Sequence, residues 1–343
     1  MQWMLRIFLL SIGYRSYRSF LKGLSYIVQG VNRQPRDLET VIGWGASQIA
    51  GIQKTPFVAP LFRFSMPSKD VYSLFHLRFG TPITFAAFES KTPMLEMWLS
   101  MGIGGGIIKT MMAEPQEGNA RPRIQEVRLA DEDCLINAMG LPGPGMSAML
   151  SAVDEANLKR FNRPIGVSLG GHSISEYRAA WDQFLLSKMA QETSRTFVEL
   201  NISCPNTEDG QSLIDNPYLL AELLKDLRSQ SDVVLGIKLS PDQSHESVMT
   251  FVEIARSISS CYINVGNTVS KQCADVGLAS DAISIGKGGL SGPVLFSRTL
   301  ERVQALQGCG VPLIATGGVD SLDKVVACLG AGASLVGMAT ALV

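Results

Sequence analysis

Eight short apolar runs, separated for the most part by stretches long enough to hold a helix, constrain this chain more than any other feature. They cover residues 83–88, 105–109, 165–169, 197–201, 234–239, 262–265, 313–316 and 335–337. Short apolar runs bounded by turn-forming residues read as buried strands, and helix-length segments such as 219–228 and 320–329 lie between them. A strand that returns parallel to its predecessor needs a crossover, usually a helix. Eight such units predict an α/β fold, a (β/α)8 TIM barrel over residues 81–343. The sequence stops at Val343, directly after the eighth run. The eighth helix is apparently missing: either the chain is truncated there or another segment, such as the N-terminal helix, covers that strand.

Barrels of this kind carry their reacting groups at the carboxyl ends of the strands and often bind phosphate after strands seven and eight. Those positions hold Lys109, Asn201 with Cys204, Lys238, Asn264 with Asn267, Gly317 with Gly318, and Ala339 with Thr340. Glycines at 317 and 318 let backbone N–H groups approach an anion, and a helix over 320–329 could aim its N-terminus there. The sequence Gly-Gly-Leu-Ser-Gly at 288–292 reads as a second glycine-rich loop. Residues 196–210 hold the densest chemistry, a strand that breaks into Asn201-Ile-Ser-Cys204-Pro-Asn206. Cys204 is the side chain there that can take up a proton near neutral pH, given positive charge or donors to lower a thiol pKa of ~8.5. The alternative is a small buried hydrophobe at a turn. Lys109 and Lys238 have a similar alternative, as side chains snorkelling at the barrel rim.

The N-terminal region differs from the rest. Residues 1–36 contain Arg6, Arg15, Arg18, Lys22, Arg33 and Arg36 and no acidic residue. Trp3, Ile7, Leu10, Tyr14, Tyr17, Leu21, Leu24 and Val28 recur at spacings of four and three, an amphipathic helical stripe, with Arg15, Arg18 and Lys22 on a second face. The longest uncharged run, 7–14, is far shorter than the ~20 residues of a membrane span. A helix lying in a membrane interface is the favoured reading; a helix packed on the barrel and a cleaved targeting peptide are the alternatives. Residues 37–80 show no clear period and read as an irregular connecting segment. A formal net charge of -1 argues against nucleic acid as a partner. The cysteines at 134, 204, 261, 273, 309 and 328 form no C-x-x-C pair and no metal-ligand cluster, so no metal site is expected and the thiols are read as reduced. The expected location is cytoplasmic, peripheral on the inner face of a membrane.

The motif at 201–206 resembles the catalytic loop of dihydroorotate dehydrogenases, and of their class 1 branch in particular, which has cysteine as base where class 2 has serine. Further matches are Gly118-Asn-Ala-Arg-Pro-Arg123, Ile136-Asn-Ala-Met-Gly-Leu-Pro142, Ile108-Lys109-Thr110 and Gly236-Ile-Lys238-Leu. The resemblance covers roughly 81–343. It implies an FMN-dependent dehydrogenase of pyrimidine (UMP) biosynthesis that oxidises dihydroorotate to orotate, with Cys204 removing the C5 proton and C6 passing a hydride to FMN. It assigns the substrate to Lys109, Asn137, Met139, Gly140, Leu141, Asn201, Asn206, Asn267 and Thr268. FMN falls to Ala86, Ala87, Lys109, Thr110, Asn201, Lys238, Gly266, Gly292, Gly317, Gly318, Ala339 and Thr340. Departures are Gly143 for an Asn, Ala120 for a Pro, and Phe88-Glu89 after the first strand, where a glycine is usual and Phe88 could crowd the flavin edge. The amphipathic N-terminus is class 2-like, against the class 1-like cysteine. The acceptor is therefore left between a quinone, preferred for the helix, and fumarate or an iron–sulfur partner feeding NAD; a homodimer is the expected assembly. The alternatives are an FMN oxidoreductase acting on another dihydropyrimidine, a non-flavin phosphate-binding lyase or isomerase, and a non-enzymatic membrane-bound scaffold.

Overall fold

The computed structural model describes residues 2–53, 55, 56, 58–66, 72–202 and 213–343, and their side chains from residue 11 onward. In chain order the elements are α1 (Gln2–Val31), α2 (Glu39–Gln53), β1 (Tyr72–Leu74), β2 (Leu77–Phe79), β3 (Ile83–Phe85), α3 (Thr92–Ser100), β4 (Gly105–Met111), β5 (Ile124–Leu129), β6 (Glu132–Asn137), α4 (Met146–Ala156), β7 (Ile165–Leu169) and α5 (Ile174–Leu185). There follow α6 (Lys188–Gln191), β8 (Thr196–Asn201), α7 (Pro217–Gln230), β9 (Val234–Lys238), α8 (His245–Ser257), β10 (Cys261–Asn264), β11 (Val269–Gln272), β12 (Lys287–Ser291), α9 (Phe296–Ala305), β13 (Leu313–Thr316), α10 (Leu322–Gly330) and β14 (Leu335–Met338).

Strands β3, β4, β7, β8, β9, β10, β13 and β14 close a parallel barrel in that order. Each coincides with one of the eight apolar runs. The helices that return the chain begin where short polar side chains cap them: Ser173, Ser187, Asn216, Ser244 and Ser321 each accept a hydrogen bond from the backbone N–H three residues on. Such caps contribute roughly 0.5–2 kcal/mol apiece. The outward faces of the strands pack on these helices in one continuous core that includes Val167, Val198, Leu200, Trp181, Phe184 and Phe251.

Alternation sends the other residue of each pair inward. Ile107, Phe197, Val234, Tyr262, Ile314 and Leu335 fill the lower barrel and meet Leu74, Leu77 and Phe79 from the β1–β2 hairpin, which plugs the amino-terminal end. One step further along the strands the inward residues turn polar. The barrel is a sealed apolar base carrying a polar floor.

Three sequence expectations change. Residues 37–80 are not irregular throughout: they include α2 and the plugging hairpin, whose three-residue strands are too short to show a period. The stretch 288–292 is mostly strand β12 rather than a loop; it pairs with β6 and β11 in a four-stranded sheet ordered β11, β12, β6, β5. Glycines there meet close neighbours, since a Cβ on Gly289 would lie 2.0 Å from Thr268 Oγ1. Finally, α1 lies with its polar face inward. Arg18 (3.0 Å) and Lys22 both pair with Glu126 of β5, and Ser25 and Gln29 are fully buried, with Gln29 bonded to Asp37. Ile12, Tyr14, Tyr17, Phe20, Leu24, Ile27 and Val31 are exposed. Tyr14 donates to the Val343 carbonyl (3.1 Å), so α1 does meet the end of the chain after β14. Among the described residues no helix is long and apolar enough to cross a membrane.

Candidate active site

The polar floor is built by side chains at the carboxyl ends of neighbouring strands. Thr110 Oγ1 lies 2.9 Å from Ser168 Oγ and accepts from Asn201 Nδ2 (3.1 Å), tying β4, β7 and β8 together. Asn267 Nδ2 donates to Asn201 Oδ1 at 3.5 Å, and Asn267 Oδ1 accepts from the Thr268 N–H (2.9 Å), so the segment after β10 is drawn to the same spot. Tyr177 of α5 donates to the Asn201 carbonyl (2.7 Å) from behind. The Asn201 side-chain amide is thus held by Thr110 and Asn267, and its backbone carbonyl by Tyr177. Asn201 is thereby held at a set rotation, with its partners chosen by the strands rather than by solvent.

Lys238 ends β9 beside Asn201, with which it pairs in register, and both are buried. Lys109 ends the inward series of β4. Its ammonium donates to the Pro142 carbonyl (2.6 Å), and burial pushes it from 10.5 down to about 8 despite the nearby Glu89 carboxylate. The segment 137–142 arrives from β6 rather than from a barrel strand. Gly140 (φ 69°) and Leu141 (φ 52°) hold it in a left-handed turn, and Gln116 and Asn119 bond the carbonyls of Gly140 and Ala138. Asn137 donates to the Gly289 carbonyl at 3.4 Å. The four-stranded sheet thus supports this segment from the side. A cavity of about 260 Å3 opens beside it, lined in part by Gln116, Asn119, Leu141 and His172.

On the opposite arc, Ala86 donates to the Met338 carbonyl (2.8 Å), and Ala87 packs towards the barrel interior. Gly266, Gly317 and Gly318 have no room for a side chain: a Cβ on Gly266 would lie 1.4 Å from the Thr316 carbonyl oxygen, and one on Gly318 2.3 Å from the Phe296 nitrogen. Backbone therefore packs directly on its neighbours here, the segment after β10 on the end of β13 and the turn after β13 on the start of α9. Thr316 Oγ1 is buried there with no hydrogen-bond partner among the described residues. Ala339 and Thr340 follow β14 in a single turn of 3-10 helix, and Gly292 (φ 125°) precedes α9. The helix before Gly330 starts at Leu322 behind its Ser321 cap, and Lys324 reaches back to the Gly318 carbonyl (3.3 Å).

The structure brings together Lys109, Thr110, Asn201, Lys238, Asn267 and the glycines 266, 317 and 318. Cys204 and Asn206 lie outside the described residues. The arginines of the 118–123 segment are engaged in ion pairs: Arg121 pairs with Asp37 and Arg123 with Glu39, so they fasten the α1–α2 corner. Phe88 packs on Trp98 of α3 at 5.3 Å between ring centroids. Ser168, Glu199 and His172 were assigned no role from sequence. Alternation along β7 and β8 would have pointed Ser168 and Glu199 inward, whereas nothing in the sequence marks His172.

A family model described as dihydroorotate dehydrogenase matches residues 71–343. The chain belongs to the dihydroorotate dehydrogenase family. Members similar to it include the catalytic subunit of the NAD(+) dihydroorotate dehydrogenase B of Bacillus cytotoxicus, 30% identical over 244 residues, 70% of this chain and 74% of that one. The quinone dihydroorotate dehydrogenase of an Arthrobacter species is 30% identical over 297 residues, 80% of this chain and 81% of its own. Among solved structures, that of DHODH in complex with ferulenol from Eimeria tenella superposes with a TM-score of 0.68, covering 88% of this chain and 86% of that one at 20% identity, a likeness of fold. Family membership makes the chain an oxidoreductase by descent.

Proposed function

We propose that this chain oxidises dihydroorotate to orotate with FMN as its bound cofactor and Cys204 as base. The single observation that carries the reading is the constellation at the barrel mouth: a buried and a half-buried lysine, a hydrogen-bonded amide pair and close-packed glycines at neighbouring strand ends, in a chain of this family.

The residues at this end of the barrel fit FMN: the unpaired Thr316 hydroxyl is a buried polar atom beside Gly317 and Gly318, whose N–H groups would meet a phosphate. Gly292, Gly317, Gly318, Ala339 and Thr340 would hold the phosphate end. Ala86, Ala87, Thr110, Asn201, Lys238 and Gly266 would hold the ring system, with Lys109 between ring and substrate. When bound, FMN supplies an acceptor for the two electrons withdrawn from the substrate.

The chain's own part is binding, orientation and one proton. Asn137, Asn201, Asn206 and Asn267, with Thr268, would clamp the planar substrate by directed hydrogen bonds. Backbone N–H groups at Met139, Gly140 and Leu141, with the Lys109 ammonium, would take its carboxylate. Amides suit this task because they orient without titrating. Cys204, three residues beyond Asn201 in the sequence, removes the proton at C5. Family membership favours this reading over a lyase or isomerase barrel. The physiological acceptor is a quinone reached along a membrane surface: α1 presents Phe20, Leu24, Ile27 and Val31 to the outside while Glu126 holds its basic side chains against the barrel. That exposed apolar face supports a reading of the protein as peripheral to a membrane.

Replacing Cys204 with Ala is expected to abolish turnover and leave the protein yellow; full activity in Cys204→Ala removes the cysteine from the mechanism. Steady-state assays with a short-chain quinone, fumarate and NAD decide the acceptor, and exclusive use of fumarate contradicts the quinone reading.

A further inference from the structure

Beneath the floor of the candidate site the barrel encloses a carboxylate with no task in the reading above. Glu199 of β8 is fully buried and points inward one layer below Asn201. Its Oε2 accepts from two donors, Tyr262 Oη (3.1 Å) and Asn264 Nδ2 (2.9 Å), both from β10. Its Oε1 has no partner among the described residues. The inward position opposite it on β9 is Gly236, where a Cβ would lie 2.1 Å from the Tyr262 ring. A glycine there opens the space that lets the tyrosine cross to the carboxylate. The next inward residue of β9 is Lys238, which pairs in register with both Asn201 and Asn264. Asn264 therefore stands directly beside the lysine while bonding the glutamate below it.

A carboxylate buried in an apolar barrel base is costly unless donors and an opposite charge compensate it. Two donors converging on one oxygen favour the ionised form, and so does a cation in the next layer. Among the described residues Glu199 is the charged group that acts on Lys238, and Lys238 the one that acts on Glu199. Tyr262 stays a phenol donor, its pKa raised by burial and by that same carboxylate. Burial is the larger influence on both, raising the Glu199 pKa and lowering that of Lys238, so each charge depends on the other to persist.

We propose that Glu199 is a positioning residue, the buried counter-charge that keeps Lys238 protonated at the floor of the site, with Tyr262 and Asn264 holding that carboxylate in place. Lys238 then presents a fixed positive charge to an electron-rich ligand above it. Only the identity of that ligand rests on the flavin reading; the charge relation between the two residues does not.

The test follows Lys238 directly. Full-length protein carrying 13C-labelled lysine is titrated by NMR, the Lys238 Cε signal being assigned by its loss in Lys238→Arg. In Glu199→Gln, which keeps shape and one acceptor oxygen, Lys238 is expected to bind its proton about tenfold more weakly or worse. Tyr262→Phe keeps the ring and removes one donor, and is expected to weaken proton binding in the same direction by less. An unchanged Lys238 titration in both variants overturns the proposal, and so does tighter proton binding in either. If Glu199→Gln does not fold, Tyr262→Phe decides alone. The visible spectrum of the same wild-type sample separates the two claims. Flavin bands with an unmoved Lys238 leave the cofactor reading standing and sink this one; a moved Lys238 in a colourless protein does the reverse.

Discussion

At the residue scale, Lys109 is a side chain whose charge the site can lose within an accessible pH range. Burial lowers its pKa from 10.5 to about 8. Between those values the unfolded chain binds more protons at this position than the folded one, so the lysine's contribution makes stability rise with pH there, and below about 8 the folded protein carries an unfavourable buried charge. Lys109→Met is accordingly expected to raise stability at pH 7 by on the order of 2 kcal/mol, read by denaturant unfolding. The same substitution removes the cation offered to the substrate carboxylate. Wild-type KM for dihydroorotate should rise as pH passes about 8, and in Lys109→Met it should be high and flat over that range. A stabilised variant with unchanged KM would mean that Lys109 serves the fold alone. The readable part of the site belongs to this scale. Lys109, Asn201 and Lys238 were legible because alternation along an apolar run identifies the last inward position of a strand. Glu199 was not, because a lone acidic residue inside such a run gives no hint that Tyr262 and Asn264, far away in sequence, complete it.

Among the elements, α1 departs most from expectation. Its amphipathic stripe was legible, but the choice of inward face was not, since it is set by Glu126, more than a hundred positions away, together with the buried bonds of Gln29 to Asp37. Glu126 is itself partly buried, which disfavours its charge, yet Lys22 and Arg18 outweigh that and hold its pKa below the ordinary carboxylate value. This stabilisation is complete above pH 4.5 and is lost as pH falls through the lowered value. Glu126→Gln is expected to cost about 1 kcal/mol, because exposed and half-exposed pairs are worth little, and to speed tryptic cleavage within α1. The exposed face is tested separately. Phe20→Ser with Ile27→Ser should abolish co-sedimentation with anionic lipid vesicles while leaving turnover with a water-soluble quinone unchanged. Vesicle binding that survives both changes would place the lipid contact elsewhere. The strands of the β1–β2 hairpin and of the four-stranded sheet escaped notice for a different reason: three to six residues each, they alternate too briefly to stand out from connecting structure.

For the whole molecule, the arrangement is a barrel divided across its axis. The lower half is apolar and closed by Leu74, Leu77 and Phe79; the upper half is polar and open, flanked by the sheet that carries residues 137–142. The division lets stability and chemistry be changed independently. Phe79→Ala, which empties a fully buried ring position, is expected to cost roughly 3–5 kcal/mol in thermal or denaturant unfolding with little change in KM under native conditions. A large change in KM with small loss of stability would show that the plug and the site are coupled. The eightfold recurrence made the barrel legible from sequence, since each strand and helix is a local pattern. Where the carboxyl ends converge is a property of closure and appears only in three dimensions.

The central claim, a flavin-dependent dihydroorotate dehydrogenase built on this barrel, is tested most directly by the visible absorption spectrum of the purified protein before and after anaerobic addition of dihydroorotate. The account predicts flavin bands that bleach on addition. Bands that persist would mean a flavin site with another substrate, and a colourless protein that FMN does not restore would contradict the account.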